Sequence, residues 1–232
     1  MAIGMRRLLA IGARTDTAEL LDSGRLSLPE VEANLADLAR LNRFPGGTDA
    51  SASAIEWLIG AGNAARILDV GTGAGDMPIA FARHGWKVVA TDVNPHVLRV
   101  ARARVAGVPG VEVIEADVRA LPLEDASVDV AHCSLLLHHL APEAAVAALR
   151  ELRRVARRGV VVNDLRRGLL PLAATWVSVM ALGRTPVTRA DGLASARRAY
   201  TVPELDRLLA AAGLSVRWRS AAWLPRVVTA SA

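Results

Sequence analysis

Residues 69–75 read Asp-Val-Gly-Thr-Gly-Ala-Gly. Glycines at 71, 73 and 75 remove three Cβ atoms and permit positive φ, so a ligand can lie directly against the backbone. A dinucleotide loop would place glycine at 71, 73 and 76, but position 76 is Asp, and an acid at a helix start disfavours the pyrophosphate that would otherwise bind there. No Gly-Lys-Ser/Thr follows, which excludes a nucleoside-triphosphate loop. The expected ligand therefore lacks phosphate. Asp92 follows Asp69 by 23 residues at the end of a second apolar run, where a carboxylate can accept both hydroxyls of a ribose. Asp117-Val118 follows a third run and suits an adenine, the carboxylate taking the amino group and Val118 the ring.

Two histidines, His138 and His139, follow a fourth run in Leu-Leu-Leu-His-His-Leu. Imidazole titrates near neutrality, so either is a candidate general base, with a structural role as the alternative. Asp164 ends a fifth run and is either a substrate-side acceptor or a cap on the next turn.

The elements that must position these groups are short and regular. Strands are predicted at 66–70, 87–92, 111–116, 128–133 and 160–164, with helices near 76–84, 96–106 and 142–156. Asn94-Pro95 supplies a cap and a first-turn proline to the second of these helices. Such alternation favours a parallel sheet covered on both faces. The first sixty residues read as helical: Ser27-Leu28-Pro29-Glu30 is a capping box, residues 44–47 break the helix, and a second helix runs from 49 to 59. After Asp164 comes an uncharged run between Arg167 and Arg184, then an irregular stretch from 183 to 200. Thr201-Val202-Pro203-Glu204 is a second capping box, and 214–218 and 223–229 read as a final antiparallel pair. The boundaries expected within this one domain are a helical cap at 1–62, a ligand-binding core at 63–167, a lid at 168–200 and a C-terminal helix and strand pair at 201–232.

Composition agrees. A chain of 232 residues, 52% hydrophobic, can bury one large core and is not disordered over most of its length. The single cysteine, Cys133, provides neither an intrachain disulfide nor a thiolate cluster and fits a reducing, cytoplasmic setting; no metal ligands are assigned. The net charge is +5, yet aromatics are only 3%, so the basic balance does not by itself indicate a nucleic-acid partner. The cluster Arg150, Arg153, Arg154, Arg157 and Arg158 reads as a solvated helix face and its end. Arg6-Arg7 and the short apolar stretch at 8–13 do not make a signal peptide. The uncharged run falls short of the ~20 residues a membrane-spanning helix requires, leaving peripheral membrane contact open.

In order, ILDVGTGAGD, ATDVNP, EADVRALPL, DVAHCSLLLHHL and LRRVARRGVVVNDLRRG resemble the class I S-adenosylmethionine-dependent methyltransferases, and within them the small-molecule branch that includes quinone-biosynthesis enzymes. The resemblance spans about 63–167. It implies a Rossmann-like α/β fold with a seven-stranded, mostly parallel sheet whose last strand is antiparallel. It implies that Asp69, Gly71, Thr72, Gly73 and Gly75 surround the methionine part of S-adenosylmethionine, that Asp92, with Val93 beside it, holds the ribose, and that Asp117 and Val118 hold the adenine. Ser134 would face the methionine end. S-adenosylhomocysteine is the implied product.

Before the core, Arg43 is a candidate partner for the cofactor carboxylate or an acidic substrate, with an ordinary surface arginine as the alternative. Behind it, the uncharged run with Trp176 and Met180, then Arg197, Arg198 and Tyr200, is expected to form a lid over a small, partly apolar acceptor methylated at oxygen or carbon: a phenol, a quinol, or a polyketide-like or lipid-like molecule. An RNA methyltransferase and a non-catalytic cofactor-binding module are the competing readings. The N-terminal helices and the lid both offer a surface for a homodimer.

Overall fold

The computed structural model describes residues 12–43, 46–220 and 225–232. Seven strands form one sheet: β1 (Arg66–Val70), β2 (Lys87–Asp92), β3 (Val111–Glu115), β4 (Val128–Ser134), β5 (Ala156–Leu165), β6 (Val216–Arg219) and β7 (Arg226–Ser231). Their order is β3-β2-β1-β4-β5-β7-β6, with β7 antiparallel to both neighbours and the other pairings parallel. The chain therefore reverses direction across the sheet between β1 and β4, which opens a crevice at their carboxyl ends.

The helices are α1 (Leu28–Arg43), α2 (Gly47–Ile59), α3 (Asp76–Arg83), α4 (Pro95–Val105), α5 (Pro142–Val155), α6 (Leu169–Leu182), α7 (Pro186–Arg198) and α8 (Val202–Ala211). Successive strand residues point to opposite faces, and both faces are buried. Leu68, Val89, Ala131 and Val160 pack with Leu149 and Leu152 of α5 and Leu205 and Leu209 of α8. Ile67, Val88, Val130 and Val161 pack with Ile55 of α2 and Phe81 of α3. Continuous apolar runs such as 160–162 are what a strand covered on both sides requires.

Several boundaries depart from the sequence reading. The stretch from 183 to 200 is largely helix α7, started by Pro186 and a Thr185 cap whose hydroxyl accepts the Thr188 N–H. It escapes notice because its polar and apolar residues show no single stripe: the side toward the cavity carries Thr188, Asp191 and Ser195. Helix α5 stops at Val155, and Arg157 and Arg158 already belong to β5, where both pair with Asp129 at 3.2 and 3.6 Å. Arg154 is not free on a solvated face either; it binds Glu151, Asp125 and the carbonyls of Leu121 and Leu123. At Ser27 only half of the expected box forms, Glu30 accepting from both the N–H and the hydroxyl, whereas the Thr201–Glu204 box is complete. Phe44, Pro45, Trp223 and Leu224, used in the sequence reading, lie outside the described residues, as do Arg6 and Arg7.

Of the N-terminal segment, α2 is a layer of the core and α1 roofs the crevice together with α6 and α7. These roofing pieces are tied to one another. Asp37 accepts the N–H groups of Arg184 and Thr185 at 2.8 and 2.9 Å, and Asn34 donates to Thr188 at 3.1 Å. Asp191 accepts the N–H groups of Leu20 and Leu21 at 2.8 and 3.1 Å. Gly192 lets α7 approach α6 closely; a Cβ there would lie 2.5 Å from Val179 Cγ1.

Candidate functional site

A cavity of about 570 Å³ lies between the carboxyl edge of the sheet and the α1–α6–α7 roof, within the range of sites that take small molecules. Its floor is the loop after β1. Gly71, Gly73 and Gly75 have φ of +67°, +55° and +75°, which only glycine adopts without strain. The loop is pinned by the Thr72 N–H donating to the Thr91 carbonyl at 2.9 Å and by the Gly73 N–H donating to Asp92 Oδ2 at 3.2 Å.

Asp92 ends β2 and also accepts the Asn94 N–H at 3.0 Å. Burial raises its pKa, against the help of those backbone donors. Asp76 at the start of α3 is likewise raised by burial, although Asn42 donates to it at 3.0 Å. Two sheltered acids beside the glycine loop make this a poor seat for phosphate. Protonation of Asp92 therefore begins at a higher pH than for an ordinary aspartate, and any ligand whose hydroxyls donate to this carboxylate is expected to bind more weakly as the solution is acidified. The stability sign is opposite: a raised carboxylate is most favourable to folding below its unfolded value of 3.8, and that contribution is lost as pH rises through the folded value. Calorimetric binding and melting curves across pH 4–7 check both signs.

Asp69 is turned inward. Its Oδ1 lies 2.6 Å from His132 Nδ1, and its Oδ2 accepts the Thr72 hydroxyl at 2.7 Å. His132 Nε2 meets Ser51 Oγ at 2.9 Å; Asn163 donates to Ser51 Oγ and to the Gly47 carbonyl, both at 2.9 Å. This buried polar chain joins β1, β4, α2 and β5 beneath the cavity, so Asp69 shapes the loop while lining the cavity.

Of the other positions singled out, Gly71, Thr72, Gly73, Val93, Asp117, Val118, Ser134, His138 and His139 line the cavity with Asp69 and Asp92. Asp117 is held by Arg119, which lowers its pKa and keeps it a carboxylate. Gly75 is set behind the loop; a Cβ there would meet Val105 Cγ1 at 3.1 Å. Arg43 is exposed and does not line the cavity. A cation is supplied instead by Arg226 of β7, whose guanidinium is buried and donates to Asn42 Oδ1 at 2.7 Å, with Ser134 Oγ 3.5 Å away. Burial lowers its pKa to about 10.

The segment expected as a lid does cover the cavity, but through other residues than those singled out. Trp176 is 52% exposed and Met180 37%; neither reaches the cavity, which α6 lines with Thr175, Ser178 and Val179. Tyr200 is buried with its hydroxyl donating to the Leu140 carbonyl at 2.6 Å, and its ring carries Arg14 at 4.9 Å. Arg198 is buried and donates to the His139 carbonyl at 2.9 Å, whereas Arg197 is exposed.

Asp164 faces the protein interior. It accepts the His138 N–H at 3.1 Å and the Leu165 N–H at 2.7 Å, and its Oδ1 lies 2.6 Å from His138 Nδ1. Burial opposes charge on His138, but Asp164 and Glu19 outweigh it and push the pKa up to about 9. Glu19 and Asp22 were not found from the sequence. Both lie in the segment before α1, where no periodicity marks them.

The Methyltransferase domain family matches residues 67–159. The chain is 36% identical over 109 residues to the demethylmenaquinone methyltransferase of Clavibacter sepedonicus, covering 46% of this chain and 44% of that protein. It is 34% identical over 148 residues to the malonyl-[acyl-carrier protein] O-methyltransferase of Serratia marcescens, covering 60% and 56%. A crystal structure of a SAM-dependent methyltransferase from Aquifex aeolicus superposes with a TM-score of 0.61 at 21% identity, covering 89% of this chain and 98% of that one.

Residues 67–159 of this chain are thus similar to methyltransferase domains in sequence, and the fold is that of a SAM-dependent methyltransferase structure. That fold is the one implied by the five ordered segments around Asp69, Asp92 and Asp117. The chain spans only a quarter to just over half of the length of the curated relatives it matches, and the roof over the core lies largely outside the matched segment.

Proposed function

We propose that the protein transfers the methyl group of S-adenosylmethionine to oxygen or carbon of a small, partly apolar acceptor held under the α1–α6–α7 roof. The observation that carries this reading is Asp92, fixed by the Gly73 and Asn94 N–H groups at the rim of a glycine loop and still presenting carboxylate lone pairs to the cavity. Bound there, S-adenosylmethionine supplies an electrophilic methyl on a sulfonium. Asp92 holds the ribose hydroxyls, Asp117 and Val118 the adenine, and Ser134 and Arg226 the amino-acid end.

Arg226 fits that last role because a buried cation without a full carboxylate partner is costly, and an incoming carboxylate repays the cost. The expected result for Arg226→Met is at least a tenfold loss of S-adenosylmethionine affinity by isothermal titration, with a smaller loss for Arg226→Lys. An affinity unchanged in both variants removes Arg226 from the site.

The acceptor end mixes Leu21, Leu38, Leu140 and Val179 with Glu19, Asp22, His138 and His139, which suits an acceptor with an apolar body and a polar reacting group. The protein's own work is to align acceptor and sulfonium and exclude water, worth on the order of 7–11 kcal/mol. His139 is the candidate proton acceptor at this end of the cavity, whereas His138, protonated between Asp164 and Glu19, is not one. Titration with S-adenosylmethionine and with NADH, followed by a labelled-methyl screen of phenols, quinols and fatty acids, tests the reading. Saturable binding of S-adenosylmethionine alone, with label in at least one acceptor, supports it. Binding of NADH overturns it, and binding without transfer to any acceptor favours a cofactor-binding module.

A further inference from the structure

Glu19, His138 and His139 bring one carboxylate and two imidazoles together on the cavity wall, their ligating atoms all within 4.8 Å of one another. His138 Nε2 lies 3.4 Å from Glu19 Oε1, and His139 Nε2 lies 3.7 Å from Glu19 Oε2. Three donors each about 2.0–2.2 Å from a tetrahedral ion stand roughly 3.3–3.6 Å apart, so the two imidazole–carboxylate separations need little adjustment. The two rings are tilted by 36° with centroids 4.3 Å apart and direct both Nε2 atoms toward the same carboxylate.

The second observation is the outer layer. His138 Nδ1 is 2.6 Å from Asp164 Oδ1, and His139 Nδ1 is 2.8 Å from Asp22 Oδ2. A carboxylate on the far nitrogen of each imidazole holds a proton on Nδ1 and turns Nε2 toward Glu19, where an ion binds in place of the Nε2 proton; metal-bound histidines are held in this way. Ser195 Oγ donates to Glu19 Oε1 at 2.7 Å and sets its rotamer. Arg198 is the nearest fixed cation, but its Nη1 stands 3.9 Å from Glu19 and 3.8 Å from Asp22, beyond hydrogen-bond reach. Three carboxylates therefore surround the two imidazoles, and neither nearby guanidinium hydrogen-bonds Glu19 or Asp164: Arg198 stands off at 3.9 Å from Glu19, and Arg14 donates to the His138 and Leu140 carbonyls.

We propose that Glu19, His138 and His139 bind a divalent transition-metal ion of the zinc type, which leaves coordination positions open to the cavity for an oxygen of the methyl acceptor. Two imidazoles and one carboxylate suit zinc, iron(II) or cobalt(II), and do not suit magnesium or calcium, which prefer all-oxygen sets. The acceptor class is then a hydroxyl compound. A hydroxyl coordinated to the ion ionises more readily and releases its proton to water. Its oxygen takes the methyl carbon as the sulfur–carbon pair returns to sulfur, giving the ether, the thioether and one proton. The acceptor half of this proposal rests on the methyltransferase reading; the ion site does not.

Tag-free, chelator-treated protein titrated with Zn²⁺ is expected to bind one equivalent with a Kd in the micromolar range or tighter. Co²⁺ in its place is expected to give a visible ligand-field absorption. Glu19→Gln and the less buried His139→Asn should each weaken Zn²⁺ binding at least 100-fold, and Asp22→Asn, which touches only the outer nitrogen, 10- to 100-fold. All three should keep S-adenosylmethionine affinity within about threefold, whereas Asp92→Ala should bind Zn²⁺ normally. No saturable Zn²⁺ binding, or binding unaltered in folded His139→Asn, overturns the ion site whatever the cofactor result. Loss of S-adenosylmethionine binding in the parent protein would instead strike the methyltransferase reading.

Discussion

Asp92→Ala is expected to weaken S-adenosylmethionine binding by about 100-fold. A hydrogen bond to an ionised group contributes roughly 1.5–3 kcal/mol, and a ribose offers two hydroxyls to this carboxylate. Two such bonds at the lower value come to about 3 kcal/mol, or two powers of ten. Stability should change far less. The substitution orphans the Gly73 and Asn94 N–H groups, but it also removes a buried charge whose pKa burial has raised. These effects oppose one another, and the melting temperature should stay within a few degrees of the parent. Isothermal titration beside thermal melts makes the comparison; an affinity within threefold of the parent would remove the ribose assignment.

Asp164→Ala is expected to produce the largest loss of stability, about 3–5 kcal/mol, the cost typical of removing one partner of a buried ion pair. Asp164 accepts from two backbone N–H groups and faces a protonated His138. Alanine strands all three, leaving only Glu19 near that imidazole. For a domain of this size each kcal/mol corresponds to about 2–4 °C, so the melting temperature should drop by roughly 6–20 °C. Asp164→Asn keeps one carbonyl oxygen for the backbone donors and should lose less. Equal melting temperatures for parent and Asp164→Ala would show that the His138 pair contributes nothing to folding.

The parts of the molecule legible in the sequence are those where one local rule decides. Strands β1 and β2 announce themselves by apolar runs, Ile67-Leu68 before Asp69 and Val88-Val89-Ala90 before Thr91 and Asp92, because burial on both faces leaves polar groups to the carboxyl half of each strand. Asn94 and Thr201 mark helix starts by side chains that satisfy the first free N–H groups. The start of β5 was hidden because Arg157 and Arg158 protrude beyond the covered part of the sheet and continue the basic pattern of α5. The proposed cofactor side of the cavity could be read for the same reason as the strands: its residues sit at strand ends. The proposed acceptor side could not. Glu19 and Asp22 meet the histidines only through tertiary folding, His139 and Asp22 being 117 residues apart. Arg226 is a single arginine in an otherwise apolar strand, with no spacing to distinguish it from Arg43, which lies close to the glycine pair at 46–47 but points to solvent.

The bonds from Asp37 to residues 184 and 185, from Asp191 to residues 20 and 21, and between Asn34 and Thr188 fasten the two flanking segments to each other. On the proposed function, acceptor preference belongs to the two segments as a matched pair. A chimera that borrows both together from a homologue should acquire the donor's preference on an unchanged sheet and glycine loop, whereas swapping one alone would break these bonds and lose both preferences.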